Sequence, residues 1–242
     1  MKSIVIVLIL SARHASAEPT STIPVPLPAE RDPCIAFTAD ADYVTQSLIM
    51  QLEDREVPLR IPRSFFEDFW DQRRGFTDTA QLFRVEIGTF LPVSRAETGR
   101  RNKQNIWNWM TFVIGDRRPL EDLAVLSAES RSGVIDGNRN RILESYEPLP
   151  GPFGLTEIRS DALQPTPAFR SNTYIARLND GTLSAVISCN TQGSVAYPIC
   201  IHWFRAAGVD VELDYRRVEL PNWQALQSDV TGFLTCAITS PL

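Results

Sequence analysis

The strongest constraint on the fold is a strictly alternating run near the carboxyl end of the chain. In residues 209–216 every odd-numbered side chain is apolar and every even-numbered one is charged. A strand with this pattern has one buried and one solvent-facing side, which is typical of antiparallel sheets. Residues 174–178, 183–189 and 199–205 are predicted to be three further strands, with Asn179-Asp180-Gly181 as the hairpin turn between the first two.

A helix is predicted after the last of these strands. Residues 221–235 carry apolar side chains at helical spacing, and Pro221 suits the first turn. The sequence therefore predicts an α+β fold, mainly an antiparallel β-sheet of meander and hairpins with a C-terminal helix packed on the sheet.

The amino-terminal half gives weaker signals. Helical spacing predicts a short helix over 40–54, and the prolines of 57–62 favour an edge strand. Residues 81–93 and 106–114 read as an antiparallel pair joined by a long polar loop at 94–105. We expect one α+β domain over 34–242, with two subdomains that divide near residue 165 as the alternative.

The first 17 residues have the order of a secretory signal peptide. Lys2 precedes a short apolar run, and Ala15-Ser16-Ala17 supplies the small residues of a cleavage site near Ala17. The run is shorter than the roughly 20 residues that cross a bilayer, so we expect no stable membrane insertion. The predicted location is periplasmic or secreted. Residues 18–33 contain five prolines and are expected to form an extended, disordered leader.

Four cysteines fit an oxidising compartment and predict structural disulfides. They are Cys34, Cys189, Cys200 and Cys236, and three connectivities are open to them. Their spacing favours a local Cys189–Cys200 bridge between neighbouring strands and a long Cys34–Cys236 bridge. No Cys-x-x-Cys pair is present, which argues against a zinc or thiol-redox site.

Signals for catalysis are few. His202 is the one histidine that remains after signal cleavage, and it is a weak candidate for a catalytic base. A hydrogen-bonded histidine inside the sheet is the favoured interpretation. Neither a Gly-x-Ser-x-Gly elbow nor a phosphate-binding loop is present. Asp136, Asn138 and Asn140 match part of a calcium loop, but Arg141 stands where such a loop needs glycine, so no metal or cofactor is expected.

The densest positive segment is the predicted 94–105 loop. The candidate partner-binding residues are the basic side chains of this loop and the two tryptophans that follow it: Arg95, Arg100, Arg101, Lys103, Trp107 and Trp109. The net charge of −5 argues against nucleic-acid binding.

These observations favour an exported, non-catalytic protein that binds another protein. An immunity or inhibitor protein is the most concrete form of this hypothesis. A secreted hydrolase built around His202 and a structural component of the cell envelope remain the alternatives.

Overall fold

A computed structural model describes residues 23–29, 31–67, 71–73, 75–130, 142–159 and 171–239. The predicted signal peptide, the calcium-like positions 136, 138 and 140, and the predicted break near residue 165 lie outside the described residues. In chain order the strands are β1 (Tyr43–Met50), β2 (Arg55–Pro62), β3 (Phe76–Asp78), β4 (Ala80–Glu86), β5 (Trp109–Gly115), β6 (Pro148–Pro150), β7 (Thr156–Ile158), β8 (Ser171–Arg177), β9 (Leu183–Asn190), β10 (Ile199–Ala206) and β11 (Val209–Arg216). The helices are α1 (Arg95–Lys103), α2 (Leu120–Ser130) and α3 (Trp223–Thr239).

Two sheets contain these strands. The larger has eight strands in the order β4-β5-β11-β10-β9-β8-β7-β6, and every neighbouring pair in it is antiparallel. The smaller has the order β2-β1-β3. The chain is therefore α+β and mostly antiparallel, with the C-terminal helix packed on the sheet. This confirms the predicted fold class.

Most of the predicted strands are present, with shifted ends. The β8–β9 hairpin and the β10–β11 hairpin are confirmed, and β2 is an edge strand as its prolines indicate. β4 and β5 pair as predicted but are shorter. The C-terminal helix begins at Trp223 rather than Pro221, because Pro221 lies in a 3₁₀ turn that precedes it.

The helix predicted over 40–54 is wrong, because this segment forms β1. Its buried residues are Val44, Gln46, Leu48 and Met50, which follow the two-residue period of a strand. Gln46 hides that period in the sequence, because a polar side chain occupies a core position. Its amide donates a hydrogen bond to Gln81 Oε1 at 3.3 Å, which provides a polar partner inside the protein.

The inner face of the eight-stranded sheet carries the main hydrophobic core. α3 packs between this face and β2 of the smaller sheet. Phe233 of α3 stands at the centre, with five ring centroids at 4.8–5.7 Å from its own: those of Phe37, Phe65, Phe83, Phe90 and Phe112. Contact among rings at these distances stabilises the core beyond the burial of area alone.

The outer face of the same sheet is covered differently. α2 lies on β8 and β9, where Ala124 and Ala128 meet Ile175 and Val186 in a second, smaller cluster. Apart from the nearly buried Arg216, the outer side chains of β5 and β11 are half-exposed beyond this cluster. Among the described residues, the outer face is therefore only partly covered.

The described leader residues are extended but packed, in contrast to the expected disorder. Val25 and Leu27 pack against the main core, and the Val25 backbone N–H donates to the Glu219 carboxylate at 2.9 Å. Arg31 pairs with Asp229 of α3 at 2.9 Å. Gly232 lets the leader approach, because a Cβ there would stand 2.7 Å from Pro33 Cγ.

Two disulfides join distant and neighbouring parts of this fold. Cys34, which directly follows the leader, bonds Cys236 in α3 across 202 residues of sequence. Cys189 and Cys200 lie directly opposite each other on β9 and β10 and form the second bond. The main core is thus crosslinked at the leader and within the sheet.

Candidate functional site

The predicted 94–105 loop is instead largely the helix α1. Ser94 caps it, since the Ser94 side-chain oxygen accepts a hydrogen bond from the Glu97 backbone N–H at 3.1 Å. Arg100, Arg101 and Lys103 occupy the last turn, where positive charge interacts favourably with the helix dipole. The basic residues of the candidate site therefore lie on a regular helix.

Arg101 anchors this helix to the eight-stranded sheet. Its guanidinium donates to Glu86 at 2.8 Å and to Asn108 at 2.9 Å, and it also bonds Glu97 at 2.7 Å. Glu86 belongs to β4 and is paired with Trp109 of β5. Arg101 thus fixes α1 at the β4–β5 end of the sheet, and its charge is engaged within the protein.

The other three basic candidates of α1 face outward. The Arg95 side chain is 76% exposed, with its nearest Glu67 oxygen at 3.6 Å. Arg100 bonds Glu97 at 2.6 Å, and hydrogen bonds from Arg100 and Arg101 lower the pKa of the Glu97 carboxyl to about 2. Lys103 is exposed and makes no ion pair with any residue that the structure describes. This side of α1 carries a surplus of positive charge.

Trp107 and Trp109 form a stack beside this helix. The Trp107 ring lies parallel to that of Trp109 and to that of Tyr197, with 5.2 Å between centroids in both pairs. Arg216, the last residue of β11, places its guanidinium carbon 4.8 Å from the Trp107 centroid and 5.1 Å from the Tyr197 centroid. Cation–π contact therefore joins Arg216 to the stack.

Exposed apolar residues border the stack. Ile106 is 45% exposed and Ile199, which pairs with Arg216 in the strand register, is 41% exposed. We call the whole patch the basic-aromatic surface, and it consists of Arg95, Arg100, Lys103, Ile106, Trp107, Trp109, Tyr197, Ile199 and Arg216.

Sequence reasoning missed Tyr197, Ile199 and Arg216 as members of this surface. They are about 90 to 110 residues from Trp107 in the chain and reach it through the β5–β11–β10 pairing. The charged, even-numbered side of β11 placed Arg216 on the outer face, but no local pattern indicates which aromatic rings it meets.

His202 lies in the inner core of the sheet. It is fully buried among the rings of Phe204, Tyr215 and Trp223, and its Nε2 is 3.1 Å from Gln227 Oε1. Burial, opposed by the Gln227 contact, lowers the pKa of His202 to about 3. The imidazole is therefore neutral at physiological pH and shielded from solvent, as a packed core residue is.

One cavity of about 410 Å³ adjoins the β8–β9 and β10–β11 turns. Its lining is mostly apolar, with Leu120, Leu178 and Leu183 beside Arg205 and Gln227. The Arg205 charge is engaged by Glu53 at 2.5 Å. His202 does not line the cavity, although Gln227 touches both, so the cavity does not present the imidazole to a ligand.

The described residues contain no cluster of three or more His, Cys, Asp or Glu side chains that would hold a metal ion. Among the same residues, no helix combines the length and the apolar character required to cross a membrane.

Comparison with known proteins gives a fold but no sequence family. No protein-family model matches the chain, and no curated protein has significant sequence similarity to it. An immunity protein of the Stenotrophomonas maltophilia type IV secretion system has a similar structure, with a TM-score of 0.56 and 20% identity over 82% of this chain and 95% of that one. The iron-regulated outer membrane lipoprotein FrpD of Neisseria meningitidis aligns over 90% of this chain and 98% of its own, with 12% identity and a TM-score of 0.49.

Proposed function

We propose that this is an exported, non-catalytic protein that binds and blocks another protein, in the manner of an immunity protein. The observation that carries the proposal is the basic-aromatic surface, where exposed cations of α1 adjoin a stack of aromatic rings. Its partner is a toxin that reaches the same compartment.

Charge supports a protein partner with an acidic face. The chain as a whole has a net charge of −5, yet α1 carries four basic residues and one acidic residue. A local positive patch on a negative body orients an approaching acidic surface and raises the association rate. The partner is therefore expected to present carboxylates where it meets α1.

The aromatic stack supports a high binding affinity in addition to the electrostatic attraction of the partner. Tryptophan, tyrosine and arginine are the residue types that most often dominate binding energy at protein interfaces. Trp107 and Trp109 already pack on each other, so these two side chains have little entropy left to lose on binding. The isoleucines at the border supply apolar area around these anchors.

The compartment is supported by the disulfides and by the fold. Disulfides persist in the periplasm and outside the cell, and are rare in the cytosol. The structural neighbour with the higher TM-score is described as an immunity protein of a secretion system. We therefore place this protein in the periplasm or the extracellular medium, after cleavage near Ala17.

The test is protection from a toxin encoded beside the gene, with both proteins directed to the periplasm. The wild-type protein is expected to restore growth and to co-purify with the toxin. The R95E/K103E variant is expected to associate about tenfold more slowly, because it reverses two charges of the surface.

The matched control is R118E/R177E, which makes the same change in net charge at exposed positions away from α1. Equal slowing in the two variants would assign the effect to overall charge and not to this surface. If the wild-type protein neither protects nor binds, the proposed function is wrong.

A further inference from the structure

Arg216 is an unusual member of the basic-aromatic surface because it is almost buried and incompletely paired. Only 7% of the residue is exposed, and its Nε and Nη1 atoms have no hydrogen-bond acceptor within the part of the chain that the structure describes. The indole Nε1 of Trp107, whose ring touches the guanidinium, also lacks an acceptor among the described residues. Three donor atoms on two neighbouring side chains therefore have no acceptor in the part of the chain that the structure describes.

Buried donors of this kind are rare in folded proteins, and a charged one is the most costly. The aromatic rings compensate part of the charge through cation–π contact, but a ring face does not accept two directed guanidinium hydrogen bonds. The arrangement leaves a specific requirement, which is an anionic oxygen placed at the edge of the Arg216 fork.

The buried carboxylate of Glu219 interacts with Arg216 but does not meet this requirement. Glu219 lies close enough to interact electrostatically with Arg216. Its two oxygens, however, accept hydrogen bonds from the Val25 backbone N–H at 2.9 and 3.1 Å, and one also accepts from Asn222 at 3.0 Å. Glu219 thus holds the leader in place, and the Arg216 fork remains open to an acceptor from outside.

We infer that Arg216 and Trp107 form a carboxylate-binding site that receives an acidic side chain of the protein partner. This inference rests on the proposed function and specifies the chemistry of the partner at one point. The carboxylate accepts from the guanidinium edge and from the Trp107 indole N–H, and it neutralises the buried charge.

Access to the site is through the Tyr197 side. Tyr197 is 42% exposed and lies in the turn between β9 and β10, and its ring covers one side of the guanidinium. We expect a rotation of this side chain to open the fork, since Tyr197 lies in a turn and not in a strand. The partner side chain then lies against the same ring, and the neighbouring Ile199 packs on the partner surface around it.

The surroundings favour a protein carboxylate over a free inorganic anion. The exposed cations of α1 extend the positive charge over a wide surface, and Ile106 and Ile199 add apolar area that a small ion does not use. A site for a free anion would not need either feature. The whole surface matches an acidic protein face with one carboxylate inserted at Arg216.

The direct test is a titration of ¹⁵N-labelled full-length protein, followed through the indole N–H signals of its five tryptophans. The probe is N-acetyl-glutamate N-methylamide, with inorganic phosphate in a second titration and sodium chloride as the ionic-strength control. We expect a saturable downfield shift of the Trp107 signal, assigned with W107F, at probe concentrations on the order of 10 mM.

Variants separate binding at Arg216 from general effects. R216K keeps the charge but loses the planar fork, so its affinity for the carboxylate probe is expected to be about tenfold lower. R216M is expected to abolish the shift of the Trp107 signal. The matched control is R60M. Arg60 also stacks on an aromatic ring, because its guanidinium carbon lies 3.4 Å from the Tyr43 centroid in the smaller sheet. The R60M variant is expected to leave the titration unchanged.

The outcomes distinguish this inference from the proposed function. If the Trp107 signal does not saturate in the wild-type protein, or if phosphate binds more tightly than the carboxylate probe, the inference is overturned, whether or not the variants fold. If R216M binds the toxin as tightly as R60M does, the inference also fails while the immunity role stands. If the carboxylate probe shifts the Trp107 signal saturably but the protein binds no toxin, the carboxylate site is supported and the proposed immunity function is wrong.

Discussion

The two faces of the eight-stranded sheet consist of the same strands but differ in how completely they are covered. The inner face packs on α3 and the smaller sheet, with Phe233 surrounded by aromatic rings and the leader crosslinked to the helix. Among the described residues, α2 covers the outer face mainly over β8 and β9 and reaches β10. Towards β5 and β11 this face carries the basic-aromatic surface.

This difference separates stability from binding. The side chains of the inner face are buried, so a substitution that truncates one of them lowers the free energy of unfolding. Apart from the nearly buried Arg216, the described outer side chains of β5 and β11 are half-exposed. Under the proposed function, a change at these exposed positions has little effect on folding and a large one on what the protein contacts. The predictions below test this separation, beginning with the largest effect on stability.

Loss of the Cys34–Cys236 bridge is expected to have the largest effect. The C34S/C236S variant should lose about 5 kcal/mol of unfolding free energy, because the bridge closes a very long loop in the unfolded chain. C189S/C200S is the comparison, with an expected loss of about 3 kcal/mol for its short loop. Denaturant unfolding of both variants measures the two losses of unfolding free energy. A larger loss for the short Cys189–Cys200 bridge would contradict the prediction.

Truncation of Phe233 is expected to be the next largest. F233A should cost about 4 kcal/mol, because it leaves a cavity among five surrounding rings. The matched outer-face variant is L126A, since Leu126 is exposed on α2 and its truncation should cost under about 0.5 kcal/mol. Similar losses in the two variants would show that the outer face is as critical for folding as the inner one.

His202 should make the inner face sensitive to acid. Burial lowers its pKa to about 3, so the folded protein keeps the imidazole neutral while the unfolded chain takes up a proton below the ordinary pKa of 6.5. The stabilisation is complete above that pH and is lost as the pH falls, by about 3 kcal/mol between pH 7.5 and 4.5.

The comparison protein for this measurement is H202F, which keeps a ring but does not titrate. Urea unfolding at a series of pH values gives both curves, and the carboxylates titrate in both proteins, so the difference between the curves isolates His202. A constant difference between pH 7.5 and 4.5 would refute the prediction.

Charge reversal on α1 should have the smallest effect on folding. R95E/K103E is expected to change the unfolding free energy by less than about 0.5 kcal/mol, because both side chains are exposed. Thermal unfolding measures this change beside the association rate with the toxin. A folded protein with slowed binding would sharpen the contrast between the faces, and a clearly destabilised one would break it.

The carboxyl half of the fold was predictable because its signals are local and consistent. Alternation in β11, the Asn179-Asp180-Gly181 turn and the apolar stripe of α3 all point to the same arrangement. β1 was mistaken for a helix because buried Gln46 interrupts its alternation, and its partner Gln81 is 35 residues away. A polar residue satisfied by a distant one cannot be recognised from its neighbours.

The candidate site was predicted in composition but not in geometry. The Ser94-x-x-Glu97 pattern is a helix-start signal that would have identified α1, although the helix has no apolar stripe. α2 also lacked a prediction, despite Glu121 and Asp122 in its first turn. The contact between Trp107 and Arg216 depends on strand register between segments about 110 residues apart, which local patterns do not specify.

The Cys34–Cys236 bond has a consequence for the order of events during the export that we propose. Cys34 reaches the oxidising side 202 residues ahead of Cys236, so the correct bond waits until that length of chain has been synthesised and translocated. In the meantime Cys189 and Cys200 arrive as competing reactants for the waiting thiolate. A cell that makes this protein efficiently therefore needs a disulfide isomerase, and yield in a strain without one should fall chiefly through misbridged chains.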